Sequence, residues 1–527
     1  MRSRFKMVYL LLAASCSGTP AGTNPDGAIN PDLSNSERRD IGRDAKAPDA
    51  QRMLSFSSCS LLTKPSNPPV GSGYDGIATA TAECASTKVP AVWSASSGDV
   101  IDLFVKRYPA AKQPAKGQLW LLAGGPGASG SMFEGLAFRI AKSIPLLDIY
   151  MPDHRGTGKS SWAGCLGGVT PNNAANCAKL IGHLDGLTTT DAAKDLASLI
   201  DATRAPGQQV FILGASYGTY WAQRYMLVRP DQPTAVILDS TLPAVGADIT
   251  GFDKQYDDNA RAVLALCQAD ATCSAKLGPD PVAKAKEALG AVAAGKCSVP
   301  SLQPIRVVFG SFLGTNYHER LLLPASIYRI LRCNAADQSW LSTVSAYPGK
   351  ASYPIYGWSD VVLHNIVLSE QWLTNPTQAE VATKEEDVLA IQGFMWNMAG
   401  VAISWPRYPH DTYYGTWPSS AAPVLALQAT LDPATPYGDV IKAQYSGKGR
   451  YFVELPKANH GVVHNENSPM ADPAAYGCGW QVVQSFLANP TKAPDTSCIK
   501  SMAPLDFSNP PAWWLARVGI TDLWENP

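Results

Sequence analysis

The chain has 527 residues, of which 46% are apolar and 17% charged, and its formal net charge is −1. That length can bury a large core and is too great for one small domain. The near-neutral balance excludes a basic nucleic-acid-binding surface, and beyond the first residues no second apolar stretch is long enough to span a bilayer.

The chain opens "MRSRFKMVYLLLAASC". Arg2, Arg4 and Lys6 precede a short apolar run from Met7 to Ala14, the pattern of an export signal and too short for a span. Ala13-Ala14-Ser15-Cys16 has the form of a bacterial lipoprotein signal covering 1–16, with cleavage before Cys16 and lipid on its sulfur. An ordinary secretory signal with a chance cysteine is the other reading. Residues 17–52 are rich in Gly, Pro, Asn, Ser and Asp and lack the apolar groups that offset ordering entropy, so a disordered tether is expected. Setting Cys16 aside leaves ten cysteines, an even number. Nearest-neighbour pairing gives Cys59–Cys84, Cys165–Cys177, Cys267–Cys273, Cys297–Cys333 and Cys478–Cys498. No CxxC occurs, so a zinc or redox reading is poor and staples in an oxidising compartment are expected.

Six apolar runs read as strands buried on both faces, within 117–130, 144–161, 208–216, 234–241, 422–436 and 449–461. Helical patterns follow several of them, at 188–205, at "YGTYWAQRYMLVRP" and at "DPAAYGCGWQVVQSFLAN". This alternation predicts an α/β fold, a mostly parallel sheet with helices on both faces. The rhythm breaks from 245 to 416, where Ala-rich helical patterns predominate. The expected organisation is therefore a core in two parts, 53–244 and 417–500, with a helical cap at 245–416 inserted between them. The tail, 501–527, with Trp513, Trp514 and Trp524, has no evident place: it packs on the domain or runs along the surface.

"VFILGASYGTYWAQRY" sets Ser216 between Gly214 and Gly218, where a strand turns into a helix. A G-x-S-x-G alone is a weak motif, but this is the location of a nucleophile elbow. The turn strains the serine backbone and leaves no room for side chains at the glycines. The helix N-terminus supplies free N–H groups and a positive dipole. A serine hydroxyl needs a base and a group that orients the base. Asp432, after "VLALQATL", and His460, after "YFVELPKAN", follow strands in the chain order Ser, acid, His. His460 is taken as base then acid, and Asp432 as its orienting carboxylate. His464 is the rival base and Asp239, ending "VILD", the rival acid. Asp153 beside Arg155 reads as an ion pair or a loop brace. An oxyanion hole needs two backbone donors. The N–H of Tyr217 is one. The loop "GGPGASG" supplies the other from Gly124 or Gly125, with Gly125 preferred.

The ordered set "GGPGASG", "DHRGTGKS", "GASYGTYWAQRY", "VILDS", "CQADATC", "LDPATP" and "NHG" resembles the α/β-hydrolase-fold serine peptidases related to proline iminopeptidase and tripeptidyl aminopeptidase. The likeness spans about 59–500 and is closest to the secreted tripeptidyl branch. It implies a helical cap, no metal or organic cofactor, and short peptides with a free N-terminus as substrates. It also implies cap carboxylates for the substrate ammonium, with Glu370, Glu380, Glu385, Glu386 and Asp387 as candidates. Departures are "VPAV" for the family's "VPLD", Asn459 for the glycine before the histidine, and a cap segment "VAISWPRYP" without its usual cysteine. An esterase or amidase with the same triad, and a silent binding protein on the scaffold, are the competing readings.

Overall fold

The computed structural model describes residues 54–525, apart from 63–76, 78–79, 97, 300–303, 315, 352–355, 465–466 and 471–474. The expected signal and tether, with Cys16, lie outside the described residues.

Nine strands form one sheet: β1 (Ser57–Ser60), β2 (Thr81–Pro90), β3 (Val100–Tyr108), β4 (Gly117–Leu122), β5 (Leu147–Pro152), β6 (Gln209–Ala215), β7 (Ala235–Asp239), β8 (Val424–Ala429) and β9 (Arg450–Leu455). Their order is β1-β2-β3-β5-β4-β6-β7-β8-β9. From β5 to β9 every pairing is parallel, whereas β1, β2 and β3 add antiparallel strands at one edge. This is the α/β-hydrolase fold.

The parallel strands are apolar throughout because both faces are covered. Successive side chains point to opposite faces. Trp120, Leu122, Val210 and Ile212 enter one core with the helices Thr189–Thr203 and Tyr217–Val228. Their alternates Leu119, Leu121, Phe211 and Leu213 enter the other, with Glu134–Ala141 and Cys478–Ala488. Thr188 caps the first of these helices by accepting from the Asp191 N–H.

Between β7 and β8 the described residues hold helices and no strand, the longest being Phe252–Ala269 and Ala335–Ala351. This cap shares its core with the first face of the sheet, through Phe252, Tyr256 and Leu323 among others. The C-terminal segment docks on the cap: Trp514, Leu523 and Trp524 are buried, and Arg329 Nε and Trp340 Nε1 donate to the carbonyls of Leu523 and Asp522.

The five disulfides are those of nearest-neighbour pairing. Strands β1 to β3 go beyond the six apolar runs. Thr81–Pro90, "TAECASTKVP", is an edge-region strand with only three of its ten residues buried, so it carries no continuous apolar signal.

Candidate active site

The C-terminal ends of β4, β6, β7, β8 and β9 lie side by side along the parallel half of the sheet; the residues of the predicted site follow β4, β6, β8 and β9, and β7 ends on the rival acid Asp239. Ser216 follows β6 with φ 56 and ψ −126, a conformation that costs an L-residue free energy. A Cβ at Gly214 would stand 2.1 Å from the Gly218 carbonyl oxygen, and one at Gly218 would stand 2.1 Å from that of Leu122. Only glycine fits either position, which is why the serine is flanked as it is. The Ser216 N–H donates to the Asp239 carbonyl at 2.9 Å, tying the elbow to β7. Ser216 is half-buried among buried neighbours.

Asp432 and His460 meet. His460 Nδ1 lies 2.9 Å from both carboxylate oxygens of Asp432, and both residues are buried. Asp432 is locked in turn: it accepts the N–H groups of Ala434 and Thr435 at 2.9 Å and the Thr435 hydroxyl at 2.7 Å. The segment "LDPAT" thus folds as a turn around its own carboxylate. Burial raises the Asp432 pKa, but the His460 charge and these hydrogen bonds outweigh it and hold the carboxyl below its ordinary value. Burial likewise opposes the imidazolium, and the Asp432 charge outweighs it, so the His460 pKa is raised.

Asp239, the rival acid, does different work. Its carboxylate accepts the N–H groups of Val462 at 2.8 Å and Val463 at 3.1 Å, and Ser240 Oγ accepts that of Gly461 at 2.7 Å. The Asp239–Ser240 pair therefore joins the Ser216 elbow to the loop carrying His460. Among the described residues no hydrogen bond runs directly from the Ser216 hydroxyl to His460. Burial pushes the Asp239 carboxyl up to about 6. His464, the rival base, stacks on Phe133 at 6.2 Å.

The loop after β4 lies against the serine. A Cβ at Gly124 would stand 3.0 Å from Ser216 Cβ and 3.5 Å from its Oγ. Gly125 is next in line, with φ 109. Tyr217 opens the helix Tyr217–Val228, where N–H groups have no partner within the helix.

Asp153 does not pair with Arg155: it braces its loop by accepting the N–H groups of Gly130 and Lys159, while Arg155 pairs with Asp195 at 2.6 Å. Of the cap acids, Glu370 is buried and fully engaged, with Arg224 at 2.7 Å, Tyr220 at 2.8 Å and Tyr408 at 2.6 Å. Glu380 closes a capping box with Thr377, and Asp387 pairs with Lys286 on the surface. Glu386 is exposed. Burial and the neighbouring Asp253 push the Glu385 carboxyl up to about 8.

Two features had no sequence signal. Arg320 is fully buried without an ion-pair partner among the described residues. It donates to the carbonyls of Lys457 at 2.8 Å, Ala458 at 3.5 Å and Tyr317 at 3.1 Å. Lys457 itself sits at φ 59, three residues before His460. The cap segment around Trp358 also reaches the loop after β4. Both come from tertiary approach of the cap, which no local pattern reports.

No group of three or more His, Cys, Asp or Glu among the described residues is arranged to hold a metal ion, and no helix among them is long and apolar enough to cross a membrane. Residues 114–296 match the family model Hydrolase_4, described as serine aminopeptidase, S33. No curated protein matches the chain. Among solved structures, a thermophilic esterase from Thermogutta terrifontis is 15% identical, with 77% of this chain and 100% of that chain covered and a TM-score of 0.34. A carboxyl esterase from Bacillus coagulans is 11% identical over 72% and 92%, with a TM-score of 0.31. A laboratory-evolved variant of potato epoxide hydrolase is 15% identical over 70% and 92%, with a TM-score of 0.29. At these scores the likenesses add nothing to the topology described above. The chain is an α/β hydrolase by fold, and the stretch that matches the family model runs from the strand before the glycine-rich loop into the cap.

Proposed function

We propose that this chain is an exported serine hydrolase acting as an aminopeptidase that releases residues or short peptides from a free N-terminus. The observation that carries the hydrolase is the buried Asp432–His460 pair, at 2.9 Å, on a loop braced to the strained elbow of Ser216; the aminopeptidase rests on the likeness of residues 114–296 to the serine aminopeptidase model.

Ser216 Oγ attacks the scissile carbonyl carbon while its proton passes to His460 Nε2. Asp432 keeps the proton on Nδ1 and stabilises the imidazolium. The carbonyl oxygen, now negative, takes the N–H groups of Tyr217 and Gly125. Collapse expels the amine, which takes the proton from His460. Water then hydrolyses the acyl-enzyme by the same steps. Hydroxyl–imidazole contacts of this kind tighten when substrate closes the site, so the indirect tie through Asp239 and Ser240 is compatible with the chemistry. The five disulfides support an oxidising compartment. Lipid attachment at Cys16 is part of the proposal and is tested by palmitate labelling of wild type against Cys16→Ala.

The activity test has three arms: a fluorophosphonate, an aminoacyl anilide with free or acetylated N-terminus, and a simple ester. A Ser216 adduct with cleavage of the free anilide alone supports the aminopeptidase. Cleavage of the ester alone replaces it by an esterase. No adduct on folded protein leaves a binding protein.

A further inference from the structure

Beside the serine, the glycine-rich loop after β4 has one long internal backbone hydrogen bond, from the Ala128 N–H to the Gly124 carbonyl at 3.4 Å, and Asp153 holds it further on at Gly130. Gly125 and Gly127 sit at φ 109 and 113, a region that glycine enters without penalty and leaves as readily. An oxyanion donor is useful only when fixed before the charge develops. Something outside the loop must fix it.

The cap supplies a strap. Tyr356, Gly357, Trp358 and Ser359 run across the loop. The Ser359 N–H donates to the Gly127 carbonyl at 2.9 Å, and Ser129 Oγ donates to the Tyr356 carbonyl at 2.5 Å. The Trp358 indole lies on the loop backbone: its Cη2 is 3.3 Å from where a Gly125 Cβ would stand, and its Cζ2 is 3.5 Å from the same point at Gly127. The indole is itself anchored, with Nε1 donating to Asp360 at 2.7 Å. The backbone carbonyl of Trp358 accepts from Trp162 Nε1, and the neighbouring Gly357 carbonyl accepts from the Gly158 N–H, both at 2.8 Å. The strap is thus fastened to the loop after β5 as well as to the loop after β4. Trp358 is half-buried and packs against the edge of the core on the second face of the sheet.

We propose that Trp358 is a positioning residue for the oxyanion loop: its ring holds Gly125 and Gly127 so that the Gly125 N–H faces the carbonyl attacked by Ser216. The inference rests on the proposed roles of Ser216 and Gly125. The cap is then part of the catalytic site and not only a cover over it.

The test uses the full chain with Trp358→Ala, Trp358→Phe and Trp358→Leu. It reads kcat and KM on an aminoacyl anilide, the fluorophosphonate labelling rate, and the melting temperature. Loss of a whole oxyanion donor costs ~10²–10³-fold in kcat, so a loosened one is expected to cost roughly 10–100-fold. The expected result is that loss in kcat and in labelling rate for Trp358→Ala, with KM nearly unchanged. Trp358→Phe, which keeps a flat ring on the glycines, restores most of it. If Trp358→Ala fails to fold, Trp358→Leu carries the test, since it keeps bulk without the planar ring and is expected to fall between the two. A folded Ala or Leu variant with wild-type kcat, or a loss confined to KM, overturns the inference while leaving the reading of the site intact. If wild type takes no fluorophosphonate on Ser216, that reading falls and the inference with it.

Discussion

Two buried aspartates lie near His460, and substituting each by asparagine separates their roles. Asp432→Asn keeps the shape of the side chain. Its oxygen still accepts the N–H groups of Ala434 and Thr435, now at 2.9 Å. Its new NH₂ takes the place of Oδ2, 2.9 Å from His460 Nδ1, and where it donates to Nδ1 the ring proton moves to Nε2. The imidazole can no longer take a proton from Ser216. A triad carboxylate turned to amide in this way costs ~10⁴-fold in kcat, equivalent to about 5 kcal/mol of transition-state stabilisation. Folding is largely retained.

Asp239→Asn acts on backbone. One of the N–H groups of Val462 and Val463 keeps an acceptor and the other meets an NH₂. A buried donor left without a partner costs about 1–3 kcal/mol. Against this, Asp239 is pushed up to about 6 from 3.8 by burial. A carboxyl raised in the fold stabilises it fully below the unfolded pKa and loses that contribution as pH rises through the folded one. Wild-type stability should therefore decline between about pH 4 and 6 on this account, and the Asn variant should lack that slope. Near neutral pH the relieved desolvation offsets much of the lost hydrogen bond. Misplacing the His460 loop by up to an ångström costs at most ~10²-fold in rate. Anilide kinetics with urea melts at several pH values read all of this. A loss near 10⁴-fold in Asp239→Asn, with Asp432→Asn close to wild type, would exchange the two roles and refute the reasoning.

His460 must be neutral to act as base, and Asp432 raises its pKa, so kcat/KM is expected to climb with pH around a midpoint above 6.5. The same shift means that the stability contributed by the imidazolium fades as pH rises through that midpoint, which a denaturant titration against pH detects. Arg320→Met strips donors from the Lys457 and Ala458 carbonyls; each one left bare costs about 1–3 kcal/mol, visible as a lower urea midpoint together with reduced kcat. Glu370→Gln leaves the buried Arg224 charge uncompensated and is expected to cost about 3–5 kcal/mol in the same melt. Removing Cys297–Cys333, which closes a separation of 36 residues, should cost about 4 kcal/mol against about 2 for Cys267–Cys273, where the separation is 6.

Legibility in the sequence followed the range of the interaction. The parallel strands are readable because burial on both faces writes a continuous apolar run, as in "QLWLL" and "VFILGA". The elbow is readable because two backbone approaches of 2.1 Å demand glycine at fixed positions. Asp432 is readable because its turn is built from its own next three residues. β2 is not, since its pairing partner β3 and not its own composition makes it a strand. Asp432 is also readable as the acid ahead of Asp239. What is not readable is the work of Asp239 at the end of β7, because only the packing of the chain beyond β9 brings the Val462 and Val463 N–H groups to its carboxylate.

Arg320 and Trp358 extend the same point to the cap. A buried guanidinium without a carboxylate is costly unless its hydrogen bonds are satisfied by fixed dipoles. Here the dipoles are carbonyls of the His460 loop, one of them on Lys457 at φ 59. Trp358 covers glycines at φ 109 and 113 in the loop beside Ser216. Each cap residue thus sits on loop backbone, one beside the proposed base His460 and one beside the proposed oxyanion donor Gly125. A cap that merely gated access would need neither contact. Its removal should therefore abolish turnover even for a substrate small enough to need no pocket, because both loops lose the packing that fixes their geometry.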